Sequence, residues 1–420
     1  MEEFSVQFKI FTKLKHGNPI SKTLFFPSDF SPQVAHLKRK SASLKIRTKP
    51  YTNTLAPMHK EMKCIIYVLI LIPIFLQAQI KDDSENEKIK AFELDNSIFK
   101  KDAYWRGADG AATVELSGGR ILWLFDDTFI DQGGTGKRAN SKIMIRNSIA
   151  IQDSNSLKSN LTYYFKGTKQ KPADYFKVSS ENWFWTGHGI LVLDKLVVFL
   201  IEETSTDTGF GFEAFGWYIA VIDNPNDNPE HWIINYFKGS ETFGVIVGSS
   251  AVLQDENYLY AFGVKEPATH ETYLLRFEKR KLIKGELSKI EWWSNNTWTD
   301  KIKEEPKSSS LFIGQTEFSV HYDQKLKKYI QIQTYGFGKA TIGYRLADQL
   351  CGPWSEPILI YTPSLKEEKE FVYSANAHPE LESDGLIITY NINNGDFERL
   401  ISNEKIYFPK IIKLKSIINK

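Results

Sequence analysis

Short runs of Val, Ile, Leu, Phe, Tyr and Trp recur along the chain from about residue 105, divided by clusters of Gly, Asn and Asp, and helical periodicity is nearly absent. This is the pattern of strands and turns. Five similar units follow one another: GADGAATVELSGGRILWLFDDTFID (residues 107–131), TGHGILVLDKLVVFLIEET (186–204), GSSAVLQDENYLYAFGVKE (248–266), TEFSVHYDQKLKKYIQIQTYG (316–336) and AHPELESDGLIITYNIN (377–393). Each joins a small or polar leading strand, a tight turn and a strongly apolar return strand. The units start roughly 60 to 80 residues apart, enough for a four-stranded blade with its loops, and the spacing predicts an all-β chain folded as a five-bladed β-propeller. Return strands such as ILWLF (121–125) and KLVVFLI (195–201) are almost unbroken apolar runs. Such strands are covered on both faces, as happens when one blade stacks on the next. A two-sheet sandwich, which also spaces short strands regularly, is the alternative architecture.

Upstream of the units the pattern changes. Residues 64–76, CIIYVLILIPIFL, carry no charge, follow Lys60 and Lys63 and precede Gln77-Ala78-Gln79. That arrangement predicts a secretory signal peptide, and the run is shorter than the roughly 20 apolar residues of a membrane span. Because a signal acts from the N-terminus, translation is expected to begin at Met58 or Met62. The expected division is an upstream extension over 1–57, a signal over 58–78, a linker over 79–98 and the propeller over 99–415. A secreted or periplasmic protein without a stable membrane anchor follows. Cys351 would be the only cysteine of the mature chain, so no internal disulfide is expected.

The 420 residues hold 53 Lys and Arg against 51 Asp and Glu, with 42% hydrophobic content, which is globular composition. From Gln79 on, 41 basic residues face 47 acidic ones, a net charge near −6. A mildly acidic body lacks the basic face of a nucleic-acid binder.

Turn positions place the chemistry. With Ser117-Gly118-Gly119 as the first turn, Asp109 should face Thr128, and Asp127 should face Gly110, so that both carboxylates share one rim. Asp126 and Asp127 point to opposite faces of a strand, and Asp127 is the one expected to join Asp109. The later hairpins bring His188 opposite Ile201, Glu202 and Glu203 level with Gly187 and Thr186, Ser249 near Lys265, Glu317 near Gln333 and Tyr335, and His378 near Tyr390 and Asn391. Five hairpins around one axis would ring these positions about one end of the channel. Carboxylates, amides and aromatic faces together suit a sugar, and a carboxyl pair supplies the acid and the base or nucleophile of glycoside hydrolysis. The expected catalytic residues are Asp109, Asp127 and Glu317. Arg106, Trp185, His188, Glu202, Lys265, Tyr335, His378 and Asn391 are the expected sugar-binding ones. Against this stand the ordinary roles of such residues, an Asp after Gly in a turn, a histidine satisfied in the core and a tryptophan packed between blades.

The residues around the first two hairpins, RGADGAATVELSGGRILWLFDDTFID with RNSIAI (146–151) and FWTGHGILVLDKLVVFL (184–200), resemble the exported propeller proteins of domain-of-unknown-function family 4185. The segments YSANAHPEL (373–381) and ITYNIN (388–393) are similar to that family's last blade, and GPWSEP (352–357) is similar to a phrase of five-bladed glycosidase propellers. The resemblance, over roughly residues 100 to 410, implies a relative of furanosidase-type glycoside hydrolases. It implies endo-acting arabinanase chemistry for some members, with two aspartates at the positions of Asp109 and Asp127. The family's FGDT is FDDT here, and Gly187-His188-Gly189 stands where the family has an acid between glycines.

Three functions are open at this stage: a glycoside hydrolase with Asp109 as nucleophile or base and Asp127 as acid, a glycan-binding propeller without turnover, and a protein-interaction scaffold. No metal-binding signature is present, no cofactor is expected, and a structural Ca²⁺ in the channel has no motif to support it. Gly133-Gly134-Thr135-Gly136 lacks the ending of a phosphate loop and reads as a flexible loop above the channel.

Overall fold

The computed structural model describes residues 91–177, 182–207, 211–267 and 269–416. The expected extension and signal, and the first part of the expected linker, lie outside the described residues. The rest is a five-bladed propeller, with one blade built around each expected hairpin. Blade one runs outward from Trp105–Glu115 through Ile121–Ile130 and Ser148–Gln152 to Leu161–Tyr164. Blade two is Trp183–Val192, Lys195–Ser205, Phe212–Ile222 and Ile234–Lys238. Blade three is Val245–Gln254, Tyr258–Lys265, Glu271–Glu278 and Glu291–Ser294, extended by Thr297–Thr299. Blade four is Ser319–Asp323, Lys328–Tyr335, Thr341–Ala347 and Ile358–Tyr361.

Blade five closes the ring. Its inner strands Glu370–His378 and Leu386–Asn394 continue into Lys410–Leu414, and the outermost strand is Ala91–Leu94 from the other end of the chain, in register from Ala91 opposite Leu414 to Leu94 opposite Ile411. The expected linker therefore ends earlier than residue 98. Residues 91–94 belong to the sheet, and Ile98 and Phe99 of the following turn are buried. No apolar run marks so short a strand; only its partner identifies it.

The unbroken apolar return strands are explained by two-sided packing. In blade two, Val197, Phe199 and Ile201 join Val245, Val247 and Val252 of blade three. The alternate residues Leu196, Val198 and Leu200 join Leu122 and Leu124 of blade one. Ile121, Trp123 and Phe125 turn the other way, onto Ile387 and Ile411 of blade five. Strand pleating sends successive side chains to opposite faces, so a strand between two blades has no solvent face to keep polar.

The innermost hairpins of blades one, two, three and five are not regular ladders. Their registers shift around residues 105–112, 198–200, 247–252 and 373–376. These are bulges, where one strand carries extra residues and bends toward the axis. Gly248 is at φ +73°, and a Cβ there would lie 2.2 Å from Cγ of Phe199, so the close approach of blades two and three needs glycine. The expected pairings move accordingly. Thr128 faces Ala108, Phe125 faces Gly110, Ile201 faces Trp185, Lys265 faces Val245 and His378 faces Ile387.

Candidate functional site

Polar residues from all five blades meet at the axis, delivered by the bulges in four blades and by the segment that enters the inner strand in blade four. Gly110, Thr186, Gly187, Ser249, Glu317 and Asn376 line a space of about 10 Å³, room for roughly one water molecule. Around it gather the carboxyl groups of Asp109, Asp126, Asp127 and Glu317, which sense one another electrostatically.

Asp109 stands in the blade-one bulge, half-buried. Its Oδ2 accepts from the Tyr373 hydroxyl at 2.7 Å, and its Oδ1 is buried without a partner. Burial, then the neighbouring Asp127, holds its carboxyl well above the usual range, with Tyr373 opposing. Asn391 fixes the bulge from below, donating Nδ2 to the Ala108 carbonyl at 3.0 Å.

Asp127 has a different setting. Arg146 Nη1 reaches both its oxygens, at 3.2 and 3.1 Å, and Trp185 Nε1 donates to Oδ1 at 3.2 Å. The Arg146 guanidinium lies 4.4 Å above the Trp183 ring. Tyr407 donates its hydroxyl to the Asp127 carbonyl at 3.0 Å, tying this strand to the last blade.

Asp126, expected to point away, is buried in the wall. Its Oδ1 accepts from Thr186 N at 2.6 Å and Thr186 Oγ1 at 2.9 Å, and its carboxyl hydrogen-bonds Glu317. Burial raises both carboxyls, and their contact pushes Asp126 further up while lowering Glu317. The pair therefore shares a proton. Next to this group Glu203 is buried with Oε2 unpartnered, and burial, Glu266 and Asp127 push its carboxyl to about 8. Glu266 is in turn held by Thr316 Oγ1 at 2.5 Å and by His270 Nδ1 at 3.2 Å.

Of the residues expected from sequence, Asp109, Asp127, Glu317 and Trp185 come together here. His188 lies deeper, its Nδ1 on the Gly189 carbonyl at 3.0 Å, and burial lowers it to about 4. His378 is further still from the rim, between Thr113 (2.6 Å) and Thr389 (2.7 Å), lowered by burial and His188 to about 3. The turn over 379–385 pairs His378 with Ile387 and leaves Asn391 opposite Tyr373, where it is itself buried as a brace. Arg106 serves the fold: it donates to the Asp102 carbonyl at 2.8 Å and pairs with Glu404 at 2.9 Å. Glu202 is buried on Asn182 (2.9 Å) and Lys238 (3.2 Å). Lys265 pairs with Glu305 at 3.2 Å, and Tyr335 turns to Gln331 at 3.3 Å. These four are engaged away from the carboxyl group. The loop at Gly133 is tied down by Asp131, which accepts from Gly133 N at 3.0 Å and Thr135 N at 2.6 Å.

Arg146, Tyr373 and Tyr407 were not singled out from sequence. Arg146 and Tyr373 do open two of the quoted family-like segments, and that was the one signal available. Among the described residues no group of three or more His, Cys, Asp or Glu is arranged to hold a metal ion, and no helix is long and apolar enough to cross a membrane.

Comparison with known proteins agrees with the architecture. Residues 93–416 match the model of a family described as Domain of unknown function (DUF5005). Kinship with family 4185 stays a resemblance of motifs. No curated protein matches the sequence. A solved structure described as a putative hydrolase from Bacteroides ovatus is similar at 18% identity and a TM-score of 0.62, over 76% of this chain and 88% of that one. More distant are an endo-arabinase from Bacteroides thetaiotaomicron (14% identity, TM-score 0.41, 74% of this chain and 95% of that) and a GH43_1 enzyme from Xanthomonas citri complexed with xylotriose (12%, 0.42, 78% and 91%). At 18% identity the likeness to the Bacteroides ovatus structure is one of fold.

Proposed function

The chain belongs to the DUF5005 family, and we propose that this member is a glycoside hydrolase in which Asp109 is the general acid and Asp127 the base or nucleophile. The observation that carries the reading is the contrast between two neighbouring carboxyls: Asp109, half-buried beside the Tyr373 hydroxyl and other acids, is raised well above the usual range by burial and by Asp127, whereas Asp127 is ion-paired with Arg146. An environment that raises one carboxyl of a pair lets it act as an acid beside a carboxylate. These roles reverse the assignment drawn from sequence.

The chemistry then runs as follows. Asp109 gives its proton to the glycosidic oxygen as the bond to the anomeric carbon breaks. Asp127 either takes a proton from the water that attacks that carbon or attacks it directly. Glu317, hydrogen-bonded to Asp126 and lining the axial space, is placed to meet a sugar hydroxyl, and Trp185 supplies a ring beside Asp127. The furanosidase resemblance makes an arabinan-type furanoside the first substrate to try, and export through the 58–78 segment belongs to the same proposal.

Product release from arabinans, galactans and xylans tests it. Asp109→Asn and Asp127→Asn should each lower turnover by about 10²-fold or more, the range of a lost acid or base, with near-UV circular dichroism unchanged. Turnover that survives either change sinks these roles. Binding of one glycan by all three proteins, without cleavage by any, would instead make the protein a glycan-binding propeller.

A further inference from the structure

A row of aromatic rings leads from open solvent to Asp109. Phe337, on the loop joining the second and third strands of blade four, is 75% exposed. Its ring lies 5.7 Å from that of Phe371, nearly parallel at 23°. Phe371 is followed at 5.4 Å by Tyr373, whose hydroxyl donates to Asp109. The presentation of Phe337 is built into the backbone. Gly336 and Gly338 on either side of it have φ of +92° and +70°, and the Gly338 carbonyl accepts from Val372 N at 3.0 Å, pinning the loop to blade five. Held in water by this backbone and stacked on a second ring, Phe337 offers an aromatic face to a ligand.

The surroundings identify the ligand's chemistry. Asn393 sits opposite Phe371 in the ladder and donates to the Tyr373 hydroxyl at 3.2 Å, so amide, hydroxyl and carboxyl groups border the ring faces. Two rings so bordered are too small a patch for a stable protein interface, which buries roughly 1,000 Å² or more. They match a sugar, whose C–H face packs on an aromatic face while its hydroxyls meet the polar rim.

We propose that Phe337 and Phe371 form a sugar-stacking subsite on the rim between blades four and five, for a glycan chain that continues outward from the carboxyl group. The direction of that chain rests on the hydrolase reading, since only there does Asp109 mark its reacting end. The protein therefore takes a polymer or long oligosaccharide in preference to a disaccharide.

Affinity electrophoresis through gels containing arabinan, galactan, xylan, mannan or β-glucan tests this with the parent, Phe337→Ala, Phe337→Trp and, as a control, Tyr322→Ala, an exposed aromatic at the other end of blade four. At least one glycan should retard the parent. Phe337→Ala should bind it about three- to tenfold more weakly, the size of one aromatic stacking contact. Phe337→Trp should restore binding, and Tyr322→Ala should match the parent. Retardation by no glycan, or equal retardation of parent and Phe337→Ala, overturns the subsite. A parent that binds through Phe337 but cuts nothing keeps the subsite and removes the hydrolase, whereas one that cuts while Phe337→Ala binds unchanged does the reverse.

Discussion

Asp126 and Asp127 are adjacent in one strand and have opposite surroundings. Pleating sends Asp127 to Arg146 and Trp185 and Asp126 to Thr186 and Glu317. That they part was legible in the sequence from the strand period alone. That Asp126 would meet a second carboxyl was not, because Glu317 arrives from another blade. Glu203 carries a consequence of burial that solution measurements can read. Folded, it keeps its proton up to about pH 8; unfolded, it loses it near 4.5. The folded protein thus binds more protons through that window, and stability falls as pH rises across it. Glu203→Gln should flatten the decline between pH 4.5 and 8 in urea-denaturation midpoints, and a slope unchanged by the substitution would show that another group causes it.

At the level of the strand, what decides the geometry is how blades two and three approach each other. Phe199 fills the gap between them, packed on Trp217 and Phe277, and Gly248 passes directly over its ring. Phe199→Ala should cost about 3 to 5 kcal/mol by opening a cavity. Gly248→Ala should cost about 1 to 3 kcal/mol because its Cβ overlaps the ring. The double variant should lose less than the two combined, since the cavity accepts the methyl; strict additivity in chemical denaturation would mean the two do not meet. The apolar return strands were readable from sequence because an unbroken apolar run beside a turn is a local pattern, even though neighbouring blades on both faces are what require it. The bulge that moves Asp109 off the expected register, and the turn that pairs His378 with Ile387, belong to no local pattern of apolar and polar residues.

For the whole molecule the decisive joint is between the two ends of the propeller. Ala91–Leu94 covers the edge of Lys410–Leu414, and Arg138, fully buried, donates to the carbonyls of Arg106, Leu400, Asn403 and Ile406, joining blades one and five. A chain beginning at residue 95 should melt several degrees lower than one beginning at 79 and associate in size-exclusion chromatography, because an exposed strand edge recruits another. Equal melting and a monomer would show that the closing strand is dispensable. The number of blades and the apolar spine of each were determined by the sequence alone, since a hairpin is a local object whose period and turns are written in neighbouring residues. The site was decided by the tertiary structure. Tyr373 meets Asp109 from 264 positions away, and the protonation of each carboxyl depends on burial and on neighbours that only ring closure brings within reach.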